Sequence, residues 1–188
     1  TPTTLEPEQL ERLLSHIECC FPTREVKEYT IEAGRPDSIT REKLEVIRKY
    51  PVTRISVNPQ TMNQATLDLI GRRHTVEDTR HAFALARECG FDNINMDLIV
   101  GLPGECAKDV QKTLEEVKKM EPDSLTVHSL AIKRATRLHL FQDRYQEMSF
   151  ENNQEIMDLT MKTAYEMGMG PYYLYRQKNM KGNFENVG

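Results

Sequence analysis

The chain has 188 residues, 38 % of them hydrophobic, and its 29 acidic and 25 basic side chains leave a formal net charge of −4. That length suits one domain with a real core, and the acidic balance gives no electrostatic footprint for nucleic acid or an anionic membrane surface. No apolar run approaches the ~20 residues needed to span a bilayer, and no signal-peptide pattern is present.

In chain order, residues 6–21 predict an amphipathic helix with Leu10, Leu13, Leu14, Ile17 and Phe21 on one stripe and Pro7 in its first turn. A short strand follows over 28–33, punctuated by Gly34 and Pro36. Thr40 caps a helix over 41–49 that carries Leu44 and Ile47. A second strand, 54–58, is expected to close at Pro59. A short helix over 65–70 ends at Gly71, and Thr75 begins a longer one that stops at Gly90. The third strand is Asn93-Ile94-Asn95-Met96-Asp97-Leu98-Ile99-Val100, running into Gly101-Leu102-Pro103-Gly104-Glu105. A helix over 108–120 stops before Pro122, and residues 124–132 read as a fourth strand. After a basic segment come a long helix over 152–167 and an aromatic strand over 172–177.

Four strands separated by helices are the pattern of a parallel α/β sheet. The first helix has no strand in front of it, and the chain opens on Thr1-Pro2-Thr3-Thr4 without an initiator methionine. Both features lead us to expect at least one βα unit upstream. The low apolar share and a mean hydropathy of −0.61 fit either a domain lacking part of its core or one with a long solvated face.

The four cysteines, Cys19, Cys20, Cys89 and Cys106, show neither C-x2-C nor C-x3-C-x2-C spacing, so no metal or cluster motif is expected, and a reducing cytoplasmic setting is. Cys19 and Cys20 read as packing residues, and His74 and His81 as polar surface residues. In folds of this class, ligands sit outside the carboxyl ends of the strands. Those ends offer Glu32 and Gly34, then Asn58 and Gln60, then Asp97 with its glycine turn, then His128 and Ala131. Glu32, Gln60 and Asp97 form an acceptor-rich set suited to hydroxyl and amino groups. Asp97 lies among apolar neighbours and therefore calls for a partner. Arg72 could take a carboxylate in bidentate fashion or be a solvated helix end. The basic residues Lys133, Arg134, Arg137 and Arg176 could meet acidic groups or simply face solvent. No catalytic residue emerges from order alone.

Several stretches in sequence order carry a resemblance. Thr1-Pro2-Thr3 resembles the tail of a GGGTPT motif, and Arg54-Ile55-Ser56-Val57-Asn58-Pro59-Gln60, Gly71-Arg72-Arg73-His74-Thr75 and Asp97-Leu98-Ile99-Val100-Gly101-Leu102-Pro103-Gly104 follow it. Together they resemble the radical S-adenosylmethionine enzymes of the oxygen-independent coproporphyrinogen III oxidase family. The closing Pro171-Tyr172-Tyr173-Leu174-Tyr175-Arg176-Gln177 and Asn183-Phe184-Glu185-Asn186-Val187-Gly188 resemble its HemZ-type coproporphyrinogen dehydrogenase branch.

The resemblance implies a partial (β/α)6 barrel, truncated here to about strands three to six. Residues 1–132 would be the incomplete barrel core, and 133–188 a connector, helix and strand that close it. It implies that Thr1, Glu32, Gln60, Arg72 and Asp97 hold S-adenosylmethionine. Arg72 would pair the methionine carboxylate, Gln60 and Asp97 would reach the ribose hydroxyls, and Glu32 would take a hydroxyl or the amino group. The backbone near Ala131 would face the adenine. The implied reaction uses a [4Fe-4S] cluster, an electron donor and a porphyrinogen substrate, whose propionates undergo oxidative decarboxylation to vinyl groups in haem biosynthesis. The cluster's C-x3-C-x2-C motif would lie upstream of Thr1, so these 188 residues are expected to carry neither the cluster nor turnover. A haem chaperone of the same superfamily and a non-catalytic βα-barrel binding module are the alternatives.

Overall fold

The computed structural model describes residues 1–130, 150–175 and 186–188. They form two compact units, one of Thr1–Pro59 with His74–Met96 and one of Gln60–Arg73 with Asp97–Gly188. The class is α/β with four parallel strands, as the alternation of elements led us to expect.

The first unit holds β1 (Thr30–Gly34), β2 (Arg54–Gln60, all but its last residue) and the first half of β3 (Ile94–Val100). They lie in the order β1-β2-β3. β1 and β2 run parallel, with Thr30 opposite Arg54 and Ile31 opposite Ile55. Helices α1 (Pro7–Cys20), α2 (Arg41–Arg48) and α4 (Val76–Glu88) belong to the same unit. Their starts follow from local chemistry. Thr40 accepts a hydrogen bond from the Lys43 amide at the head of α2, and Thr75 and Asp78 satisfy each other's backbone amides at the head of α4. Those amide and hydroxyl donors hold the Asp78 carboxyl below its usual range. Leu10, Leu44, Ile47, Ile55 and Ile94 are wholly buried and form the core between sheet and helices.

α1 presents a narrower apolar face than its sequence stripe predicts. Leu10 and Leu14 are buried, whereas Leu13 and Phe21 are 40 % and 63 % exposed. Cys19 and Cys20 are exposed as well, contrary to the packing role expected of them. His74 departs in the opposite direction: it is 1 % exposed, with Nε2 3.2 Å from the Pro59 carbonyl. The burial needs that carbonyl, which β2 supplies by running through Pro59 to Gln60 instead of ending before it. Pro59 lies next to the last residue of the strand, one of the positions where a sheet tolerates proline.

The second unit holds the second half of β3, β4 (Ser124–Ser129), β5 (Leu174–Tyr175) and β6 (Asn186–Val187), in the order β3-β4-β6-β5. β6 pairs antiparallel with β4 and with β5, joining Val127 to Val187 and Leu174 to Val187. Two-residue strands have no readable period, which is why β6 was not expected. Helices α3 (Gln64–Leu69), α5 (Ala107–Met120) and α6 (Gln154–Glu166) complete the unit. Leu67, Leu98, Leu102, Leu114, Val117 and Ile156 are buried in its core, and α5 packs on α6. On α6, Met157 is buried and Met161 is 45 % exposed.

Candidate functional site

Side chains alternate between the two faces of a strand. In the first unit one face is apolar, with Ile31, Ile55, Val57, Ile94 and Met96 buried on it. The other collects Glu32, Arg54, Ser56, Asn58 and Asn95, and these join into a single hydrogen-bonded chain. Arg54 Nη1 lies 3.3 Å from Glu28 Oε1, and Arg54 Nη2 donates to Asn95 Oδ1 at 2.7 Å. Asn95 Nδ2 donates to Ser56 Oγ at 3.0 Å, and Ser56 Oγ to Asn58 Oδ1 at 2.6 Å. Asn58 Nδ2 donates to Glu32 Oε2 at 3.2 Å. Ser56 and Asn95 are buried and Glu32 is exposed, so the chain leads from the interior of the unit to an accessible carboxylate.

The end of β1 is shaped around the first residues of the chain. Between the Ile31–Ile55 and Gly34–Val57 pairs β1 has one residue more than β2, a bulge at Glu32–Ala33 that redirects the strand end. Gly34 follows at φ +67°, and a Cβ there would stand 2.8 Å from Thr1 Oγ1. Only glycine lets Thr1 lie so close with that backbone. The buried Thr3 hydroxyl donates to the Ala33 carbonyl at 2.5 Å and pairs with Ser38 Oγ at 2.8 Å. Lys43 Nζ donates to the Thr3 carbonyl at 2.8 Å. The Thr1-Pro2-Thr3 segment is therefore fixed on the strand end that carries Glu32.

In the second unit, Asp97 Oδ2 lies 3.7 Å from His128 Nε2 on β4. His128 is thus the neighbour that a strand carboxylate among apolar residues calls for. Gln60 is 8 % exposed and sits at φ +70°, a left-handed conformation costly for a residue with a Cβ. The next residue anchors it. Thr61 Oγ1 donates to Glu105 Oε1 at 2.7 Å and lies 3.1 Å from Thr113 Oγ1, which in turn accepts from the Met62 amide at 3.1 Å. Glu105 is 2 % exposed. Burial pushes its carboxyl above the usual range, against the opposing pull of the Thr61 and Thr66 hydroxyls. This buried carboxyl ties the Gly101–Gly104 turn that follows Asp97 to the segment that follows Gln60. Arg72 is exposed just beyond α3, its amide donating to the Leu67 carbonyl at 2.9 Å.

Comparison with known proteins decides what these strand ends belong to. The sequence model of the radical SAM superfamily matches residues 1–117. The chain belongs to the radical SAM superfamily. It is 47 % identical, over its whole length, to the oxygen-independent coproporphyrinogen-III oxidase-like protein HemZ of Bacillus subtilis (strain 168) and covers 38 % of that protein. It is 35 % identical to the heme chaperone HemW of the same organism, over 74 % of this chain and 39 % of that protein. The structure of coproporphyrinogen III oxidase (HemN) from Escherichia coli superposes on all of this chain and 41 % of its own, with a TM-score of 0.75 and 25 % identity. The chain thus spans about two fifths of the length of these relatives.

The superfamily implies S-adenosylmethionine and a [4Fe-4S] cluster. The four cysteines do not fit the cluster. Cys19 and Cys20 end α1, Cys89 follows α4 and Cys106 precedes α5, and among the described residues no group of three or more His, Cys, Asp or Glu side chains could hold a metal ion. At the end of β1 the exposed Glu32 carboxylate, met by Asn58 Nδ2, would suit an amino or hydroxyl group of S-adenosylmethionine.

Of the residues expected at the site, Thr1 and Glu32 lie together at the end of β1, and Gln60, Arg72 and Asp97 belong to the second unit. Ala131 lies outside the described residues, as do Lys133, Arg134, Arg137 and Arg176. Residues not singled out in advance are Thr3, Arg54, Ser56, Asn95, Thr61 and Glu105. Alternation signals part of this set, since Arg54, Ser56, Asn58 and Gln60 are polar at every second position of β2.

Proposed function

We propose that residues 1–188 hold S-adenosylmethionine in a radical SAM enzyme of haem biosynthesis that oxidatively decarboxylates coproporphyrinogen III to protoporphyrinogen IX. The observation that carries this reading is the 47 % identity to HemZ over the whole chain. Glu32 takes a hydroxyl or the amino group of the ligand, Gln60 and Asp97 take the ribose hydroxyls, and Arg72 takes the carboxylate. Thr1 lines the edge. When bound and reduced at a cluster, S-adenosylmethionine supplies the hydrogen-abstracting radical; this chain's residues bind and orient it. The porphyrinogen and an electron donor for the cluster are the partners this reaction needs.

The 35 % identity to the heme chaperone HemW supports a second reading, in which haem is the ligand and no porphyrinogen is oxidised. Anaerobic turnover of coproporphyrinogen III by the full-length gene product, run beside a haem titration, separates the two. Protoporphyrinogen formation supports the first reading, and stoichiometric haem binding without turnover supports the second.

A further inference from the structure

We propose that Arg54, Asn95, Ser56 and Asn58 act as a polarised hydrogen-bond relay that positions the Glu32 carboxylate for its ligand. The role of the relay in binding rests on the S-adenosylmethionine reading above, whereas the relay itself rests on geometry within one unit.

Each link donates in the same sense. The Arg54 guanidinium donates to the Asn95 carbonyl oxygen, the Asn95 amide to the Ser56 hydroxyl, the Ser56 hydroxyl to the Asn58 carbonyl oxygen, and the Asn58 amide to the Glu32 carboxylate. A cation at one end and an anion at the other orient both asparagine amides, because a reversed amide would face donor to donor or acceptor to acceptor. Aligned links polarise one another, so each strengthens the next. The relay crosses all three strands of the unit: Asn95 comes from β3, Arg54, Ser56 and Asn58 from β2, and Glu32 from β1.

Core packing alone would be served by apolar residues at Ser56 and Asn95, which are 0 % and 3 % exposed. Their polarity is explained by what lies at the end of the relay. Glu32 is exposed, and a free glutamate there would sample several rotamers. It sits on the β1 bulge beside Thr1 and Gly34, where a ligand can reach it. Arg54, Asn95 and Ser56 are thus positioning residues that act through Asn58 on Glu32.

The test has two arms on the full-length gene product. In the first, without ligand, the side-chain amide signals of Asn58 are followed by 15N NMR in Arg54→Lys and Ser56→Ala. The relay predicts that both changes move the Asn58 signals. Signals unmoved in folded variants overturn the proposal, whatever the protein binds. In the second arm, calorimetric titration with S-adenosylmethionine is arranged as a double-mutant cycle with Glu32→Gln. Ser56→Ala should weaken binding about fivefold in the wild-type background, the size of one lost hydrogen bond, and less than about twofold beside Glu32→Gln. Equal weakening in both backgrounds would reduce the network to a structural role and overturn the proposal. Asn58→Ala, at the half-buried end, serves as the second variant should Ser56→Ala fail to fold. Moved signals in a wild-type protein that gives no heat with S-adenosylmethionine would uphold the relay and overturn the binding reading instead.

Discussion

Two carboxylates of this molecule stand in opposite circumstances. Glu32 in the first unit is exposed and is met by Asn58 at the end of a hydrogen-bonded chain. Glu105 in the second unit is buried, enclosed by threonine hydroxyls, and its carboxyl is pushed above the usual range by desolvation. The first leaves oxygen atoms available to a ligand; the second spends its acceptors on the protein. The contrast teaches that a carboxylate near a strand end is not by itself a binding residue, and that burial and the identity of its donors decide which role it plays.

Substitution should separate the two most sharply. Replacing Glu105 by Leu removes the buried acceptor of the Thr61 hydroxyl and should cost about 2–4 kcal/mol of stability in denaturant unfolding. Glu32→Gln should change stability by less than about 0.5 kcal/mol yet weaken S-adenosylmethionine about tenfold if Glu32 meets a charged or hydroxyl group of the ligand. A large stability loss at Glu32, or none at Glu105, would erase the distinction.

Gly34→Ala comes next. It puts a Cβ against Thr1 at φ +67° and should destabilise the protein by about 1–2 kcal/mol. Thermal unfolding measures that loss, and a neutral result would mean that Thr1 does not pack on the strand end.

The pH dependence isolates Glu105. Its folded carboxyl titrates above the unfolded one, so its neutral form is favoured in the fold. The stabilisation this provides is complete below the unfolded value and is lost as pH rises through the folded one. The stability of Glu105→Gln relative to wild type should therefore grow from pH 4 toward neutrality, by about 1.4 kcal/mol for each unit separating the two values. A difference independent of pH would show that Glu105 is not the buried acid described here. The smallest effect is expected at the exposed Lys118–Glu166 pair, 2.8 Å apart, where Lys118→Ala should cost less than about 0.5 kcal/mol.

The sequence made some of these features plain and hid others, for identifiable reasons. Helix starts were legible because Thr40 and Thr75 carry their own capping chemistry within three residues. Asp97 was legible as a polar residue in an apolar strand. What joins it to His128, or Asn95 to Ser56, depends on register between strands, which no local pattern encodes. Glu105 was passed over because its partner Thr61 lies 44 positions away. His74 looked like a surface residue because its burial depends on Pro59 continuing β2.

Titration calorimetry of the full-length gene product with S-adenosylmethionine tests the proposed binding most directly. One-to-one binding to the wild-type protein is expected, with a loss of at least about tenfold in affinity on Asp97→Ala, the scale of one hydrogen bond to a charged group. Equal affinity in the wild type and that variant, or no heat with the wild type at all, would contradict it.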